Sequence, residues 1–326
     1  MRIVSAGLLP AGWTGKNHAV VAGTREASGS WLLFTDADTA HVLGSLARAL
    51  AEAKENKAEM LSYSPEQIAV TFWEMAVLPV VFAELARQYP PGKVSDPASP
   101  VAAANGQYIL IRRETYDAVG GHTAIAGNLL EDVALARAVK GSGRSLRFRY
   151  AQDAVRTRMY RSFRQLREGW TKNLALLFPN PGRLAVRYLL SWGIAWGFAF
   201  FPLIAWVAAR VAARFGLVSA EQVLLHWSGF IRTAGWNPLF LGLPMLLFFR
   251  LQRANFTWDM AALGALFGMP MFSYLLLRSK KAQTRGQVSW KGRAYSISAT
   301  RPSARTDKQA RKPNPQIESP KMRTEN

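Results

Sequence analysis

The feature that most constrains this chain is a run of 22 residues, Tyr188–Ala209, without a single charged side chain. A helix of that length rises about 33 Å, enough to cross the hydrocarbon core of a bilayer. Met260–Leu277 supplies a second uncharged run of 18 residues. Ala234–Phe249, with 16 residues including Gly and Pro, reads as a short span or a re-entrant segment. Arg or Lys flanks nearly every end of these runs, so the positive charge does not fix their orientation.

The formal net charge of +20 comes from 41 Lys+Arg against 21 Asp+Glu, and its placement matters more than its size. Residues 1–139 carry a net of −3, residues 140–187 a net of +10, and residues 278–326 another +10. The surplus therefore brackets the apolar region, as juxtamembrane segments do, because each Lys or Arg beside an anionic leaflet gains about 1 kcal/mol. A nucleic-acid-binding tail has a similar composition but interleaves aromatic residues for base stacking, and none follows Tyr295. The partner expected of these charges is a membrane surface, not nucleic acid. With no cysteine, the chain excludes a disulfide framework, Cys-ligated zinc, iron–sulfur clusters and thiol nucleophiles. Four histidines leave little for a His-rich metal site.

Before the apolar region, strand and helix patterns alternate. Trp31–Thr35 reads as a buried strand, 40–55 has helical spacing, and Ala58–Ser64 reads as a strand. Residues 66–88 are apolar and aromatic but interrupted by Glu74, Pro79 and Glu84, which predicts a helix lying on the bilayer or across the domain. Gln107–Ile111 and Leu146–Tyr150 read as strands, with helices over Arg113–Val119 and Leu129–Val139. This alternation predicts an α/β domain. Residues 160–178 then form a basic, aromatic-bearing helix.

Asp36-Ala37-Asp38 follows the first buried strand directly. In extended chain, residues i and i+2 point the same way, so both carboxylates can reach one cation at the carboxyl end of a strand, where open α/β sheets bind ligands. Hard oxygens suit Mg²⁺ or Mn²⁺; the plainer role for the triplet is an acidic turn capping a helix. Leu9–Asn17 places Gly-permitted backbone beside Lys16, a diphosphate cradle or an ordinary Pro/Gly loop. Glu131-Asp132 opens a helix, where the dipole favours carboxylates whatever their task. Arg158-Met159-Tyr160 and Arg167–Asn173 put cations and an aromatic face on one helix, either for a ligand or for a membrane surface.

In this order, these stretches resemble a membrane-associated family 2 glycosyltransferase, most closely the branch that glycosylates bacterial lipids such as carotenoids and hopanoids. The resemblance runs over residues 8–178 and resumes at Val288–Tyr295. The family's Pro-Gly-Trp-x-Gly-Lys is matched by Pro10–Lys16 with one residue shifted, and its Leu-Phe-x-Asp-Ala-Asp by Leu33–Asp38. Asn105-Gly106 and Gly120-Gly121 match its acceptor-side pattern. The resemblance implies a GT-A (Rossmann-like) α/β catalytic domain over 1–183, an α-helical transmembrane region over 184–277, and a basic, largely disordered cytoplasmic tail over 278–326. It implies an inverting, metal-dependent hexosyltransferase with a nucleotide-sugar donor and a lipid or polyprenyl-type acceptor. Mg²⁺ or Mn²⁺ is then held by Asp36 and Asp38, and Lys16, Arg167 and Trp170 bind the donor. Asn105, Gly106, Gly120 and Gly121 bind the acceptor, while Asp132, with Glu131, is catalytic. The implied location is the inner or plasma membrane, multi-pass, with a cytoplasmic catalytic domain. Members of the family carry tens of residues ahead of the Gly-Trp stretch, holding the first strands of the sheet, whereas this chain starts nearly at that stretch. The expectation is a start placed too late; the alternative is a catalytically inactive fragment or membrane scaffold.

Overall fold

A computed structural model describes residues 2–216, 219, 238–252, 256–290 and 293–296. The elements run α1 (Gly15–Glu26), β1 (Trp31–Thr35), β2 (Thr39–His41), α2 (Ser45–Glu55), β3 (Met60–Ser64), β4 (Glu66–Gln67), α3 (Phe72–Gln88) and α4 (Pro91–Ser95). There follow β5 (Tyr108–Arg112), α5 (Arg113–Ala118), α6 (Gly121–Ala124), α7 (Glu131–Gly141), β6 (Leu146–Tyr150), β7 (Val155–Thr157), α8 (Phe163–Leu177) and α9 (Pro181–Arg214). Helices Pro238–Gln252 and Trp258–Thr284, the latter passing through a π-turn at Gly264–Gly268, precede a hairpin of Gln287–Trp290 with Arg293–Ser296.

The main sheet has the order β1-β5-β3-β6, with β5 antiparallel to both neighbours and β3 parallel to β6. β1, β3 and β6 therefore share one direction. All five residues of β3 are buried because helices cover both sheet faces. On one face, Leu32, Met60, Ile109, Ile111 and Phe148 pack with Leu135, Ala136 and Val139 of α7. On the other, Leu61, Tyr63 and Leu110 pack with Ala49 and Ala53 of α2. A smaller sheet, β2-β7-β4, lies beyond the β1 turn. The mixed α/β expectation is met. The predicted strands over 31–35 and 146–150 have those bounds, while 40–55 divides into β2 and α2 because Gly44, at φ 74°, turns the chain between them.

A third core joins the sheet region to the apolar helices. Val77, Val80 and Val81 of α3 meet Leu166, Trp170 and Leu174 of α8, Leu184 and Tyr188 of α9, and Phe272 and Leu276 of the Trp258–Thr284 helix. Each such side chain of α3 and α8 contributes about 1.5–3 kcal/mol by leaving water. The helices cross closely: a Cβ on Gly268 would lie 1.9 Å from the Ala76 carbonyl oxygen, so only glycine fits there. α3 runs across the domain. Its two acidic residues are internal ion partners: Glu74, in a capping box with Thr71, pairs with Arg158, and Glu84 pairs with three arginines.

Among the described residues, Trp258–Thr284 is long and apolar enough to cross a membrane. α9 makes a second such segment if its halves, bent by 40° beyond Gly197, count as one. Along α9, Leu190, Ile194, Phe201, Leu203 and Ile204 are each more than half exposed, an apolar surface that water does not favour. Residues 234–237 of the predicted third segment, and the predicted disordered end of the tail, lie outside the described residues.

Candidate active site

Four segments distant in sequence converge at the carboxyl end of β1. Thr14 caps α1, its Oγ1 accepting the Asn17 N–H at 3.2 Å, which sets Lys16 in the first turn. Asn17 is fully buried, and its Nδ2 reaches the carbonyls of Ile125 and Ala126 at 2.9 Å and Asn128 at 3.2 Å. The Thr14 N–H donates to Ala126 O at 2.9 Å. The start of α1 is thereby fastened to the loop that leads into α7, whose first residues are Glu131 and Asp132.

Lys16 Nζ sits 2.8 Å from Asp36 Oδ1 and 2.7 Å from Glu131 Oε1, bridging the end of β1 to the start of α7. Gly106, leading into β5, donates its N–H to Asp132 Oδ2 at 3.0 Å. A Cβ there would lie 3.1 Å from Lys16 Nζ and 3.3 Å from Glu131 Oε1, so glycine lets the backbone enter the cluster. Asp132 Oδ1 accepts the Val133 N–H at 2.8 Å. Both oxygens keep a lone pair free, since each carboxylate oxygen has two.

The charges tune one another. Burial opposes the Lys16 ammonium, but Glu131 and Asp36 outweigh it and hold its pKa above the ordinary lysine value. Burial works against the Glu131 anion too; Lys16 wins and holds that carboxylate below its usual range. Asp132 is pushed up to about 6, first by burial and then by the Glu131 charge, with Lys16 and the Gly106 N–H acting against the rise. A carboxyl titrating there suits proton transfer near neutrality.

The structure thus brings together Lys16, Asp36, Gly106, Glu131 and Asp132. Asp38 lies beside them in an exposed turn, its backbone oxygen accepting the Thr157 hydroxyl at 3.2 Å. Asn105 supports Gly106: its Oδ1 accepts the Gln107 N–H at 3.0 Å, and its N–H donates to Ser62 Oγ at 2.8 Å. Gly120 and Gly121 have φ of 74° and 50° and form a turn against Tyr116, whose ring a Cβ on Gly121 would approach to 2.5 Å. Arg167 lies over Phe163 at 5.9 Å. Trp170 is buried between Tyr160 and Phe82, and its Nε1 has no hydrogen-bond partner among the described residues.

The motifs assign no role to three neighbours of the cluster. Lys172 lies within electrostatic reach of Glu131, Lys16, Asp132 and Asp36, and burial lowers its pKa. Helical spacing is the signal for it: Leu166, Trp170 and Leu174 share the buried face, which turns Lys172 another way. His122 is buried, its Nδ1 3.0 Å from the Tyr116 hydroxyl, and burial pushes it down to about 4, so it is neutral at pH 7. Buried Gln107 has an Oε1 without a partner among the described residues. Such an orphan costs about 1–3 kcal/mol unless a ligand or water meets it.

Residues 4–267 match the model of glycosyl transferase family 21. The chain is similar to the 4,4'-diaponeurosporenoate glycosyltransferase of Staphylococcus aureus strain MRSA252 and to the proteins of that name from strains USA300 and NCTC 8325. Each is 24% identical over 295 residues, covering 88% of this chain and 72% of the relative. The matching family is numbered 21 where the motifs resemble family 2; the glycosyltransferase class is the same.

Proposed function

The chain belongs to glycosyl transferase family 21, and from that premise we propose that it moves a sugar from a nucleotide-sugar donor to a lipid-type acceptor, with inversion, at a membrane surface. The observation that carries this reading is the convergence of Lys16, Asp36, Gly106, Glu131 and Asp132 at the carboxyl end of β1, where an α/β sheet binds ligands. We read the sheet region as the GT-A domain over 1–183, followed by an apolar anchor over 184–277 and a basic tail. Exposed Leu190, Ile194, Phe201 and Ile204 support the anchor.

In this mechanism, Lys16 places a positive charge beside the donor diphosphate and fixes Asp36 and Glu131. Asp132 takes the proton of an acceptor hydroxyl as the hydroxyl oxygen bonds to the anomeric carbon. The bond from that carbon to the phosphate oxygen breaks, and its electron pair leaves with the diphosphate. A single displacement from the opposite face inverts the carbon. Such a base contributes a factor of about 10²–10⁴.

Among the described residues no three His, Asp or Glu side chains form a metal-holding group. Two hard carboxylates in one turn, Asp36 and exposed Asp38, fit an ion that keeps waters and takes phosphate oxygens for the rest of its shell. Mg²⁺ or Mn²⁺ held there would neutralise charge on the diphosphate leaving group.

The relatives' name gives them a carboxylate acceptor, 4,4'-diaponeurosporenoate. A carboxylate attacks without a base and a hydroxyl needs one, so the acceptor chemistry is readable from Asp132. The test offers the full chain in membranes a panel of nucleotide-diphosphate sugars, with an apolar alcohol or an apolar acid as acceptor. Transfer to the alcohol that Asp132→Asn abolishes supports the base role; transfer to both acceptors that survives the substitution sinks it.

A further inference from the structure

The mechanism leaves unused a cluster at the far end of α3. Glu84 is fully buried, yet three guanidinium groups address it. Arg87 binds it in bidentate fashion, Nε lying 3.1 and 3.0 Å from the two oxygens, while Arg187 approaches to 3.1 Å and Arg250 to 3.3 Å. The Tyr188 hydroxyl donates to Glu84 Oε2 at 2.8 Å, and Arg187 and Arg250 both lie over the Tyr188 ring. One carboxylate offers about four lone pairs and each guanidinium five N–H donors, so donors remain unused. The side chains of Arg87, Arg187 and Arg250 stay 48%, 47% and 42% exposed.

Glu84, Arg87 and Arg187 border a cavity of about 550 Å³ between the end of α3 and the first turns of α9. Arg183, exposed and without an ion pair among the described residues, adds a further cation to its wall. Further along the same face of α9 the lining turns apolar: Leu190 and Ile194, 59% and 53% exposed, lead away along the uncharged run. Among the described residues lining the cavity, the only acidic side chain is Glu84, already saturated. The volume is of the size that holds a small ligand.

We infer that this cavity binds the phosphodiester headgroup of an anionic phospholipid, with Arg87, Arg183 and Arg187 on the phosphate and an acyl chain along Leu190 and Ile194. Guanidinium groups match phosphate oxygens bidentately. A cationic headgroup such as choline finds no free carboxylate there, so the site selects anionic over zwitterionic lipid. The site lies apart from the carboxylate–lysine cluster, and its failure would leave the proposed transfer reaction standing.

The test uses the full chain in non-ionic detergent, titrated separately with phosphatidylglycerol, phosphatidylcholine or inorganic phosphate, with bound ligand counted by native mass spectrometry. Phosphatidylglycerol should be held about tenfold more tightly than phosphatidylcholine. Arg183→Gln, which leaves the Glu84 cluster intact, should weaken phosphatidylglycerol about fivefold, the share of one cation. Arg112→Gln, beside Trp31 on the sheet, should change nothing. Equal retention of the two lipids, or an Arg183→Gln variant binding like wild type, would overturn the site. Inorganic phosphate that displaces phosphatidylglycerol at equal concentration would overturn the lipid assignment.

Discussion

Two ion clusters sit in this molecule with opposite imbalances. At the end of β1, Asp36, Glu131 and Asp132 share Lys16 and the more distant Lys172, so anions outnumber cations and Asp132 is pushed up to about 6. At the end of α3, one buried carboxylate faces Arg87, Arg187 and Arg250. Each cluster lacks the charge that its proposed ligand brings: a cation and a proton in the first, a phosphate in the second. Lysine, a compact charge on a flexible stem, sits where the proposed reaction places a diphosphate; arginine, a rigid fork, sits where a static carboxylate is held.

The comparison breaks most visibly at Asp132. Asp132→Asn should lower the turnover number for a hydroxyl acceptor by about 10²–10⁴ while donor affinity, read by calorimetry, changes little. Glu84→Gln should lose no chemistry but cost about 1–3 kcal/mol of stability, because the buried carboxylate's bonds to three arginines and Tyr188 are lost while the half-exposed guanidinium groups regain water. Denaturant unfolding of the detergent-solubilised chain measures that loss. Glu131→Gln should cost less stability than Glu84→Gln, since Lys16 keeps Asp36 as a partner.

The pH dependence sharpens the contrast. Turnover should rise with pH through about 6 as Asp132 loses its proton. Stability should move the other way: the folded pKa lies above the ordinary 3.8, so this carboxyl's contribution is complete below about 4 and lost as pH climbs through 6. Asp132→Asn should therefore melt closer to wild type at pH 4 and above it at pH 7. The smallest expected effect is at Gly106: Gly106→Ala brings a methyl group to 3.1 Å from the flexible Lys16 terminus and should reduce kcat/KM by about tenfold or less.

The sheet region was legible because its strands are short apolar or alternating runs bounded by turn residues, Asp36 after β1, Pro65 after β3 and Gly143 ahead of β6, and Trp31–Thr35 and Leu146–Tyr150 have the predicted bounds. Lys16, Asp36, Glu131 and Asp132 were legible as motifs, but not the bond of Gly106 to Asp132 or the clamp of Asn17 on the 125–128 loop. Those contacts join residues up to 111 positions apart, and nothing local encodes them. Trp170 shows the converse, a motif residue placed in the core because Leu166 and Leu174 share its helix face. In α3 the sequence showed Glu74 and Glu84 as interruptions, since apart from Arg87 on the same helix their arginines come from β7's exit, α9 and the Pro238–Gln252 helix.

The most direct test is single-turnover transfer from a labelled nucleotide sugar by the full chain in lipid vesicles, comparing wild type, Lys16→Ala and Asp132→Asn. The expected result is labelled lipid from wild type alone, with donor still bound by Asp132→Asn and lost from Lys16→Ala. Labelled lipid formed at equal rates by all three proteins would place the chemistry elsewhere and contradict the assignment of the β1 cluster.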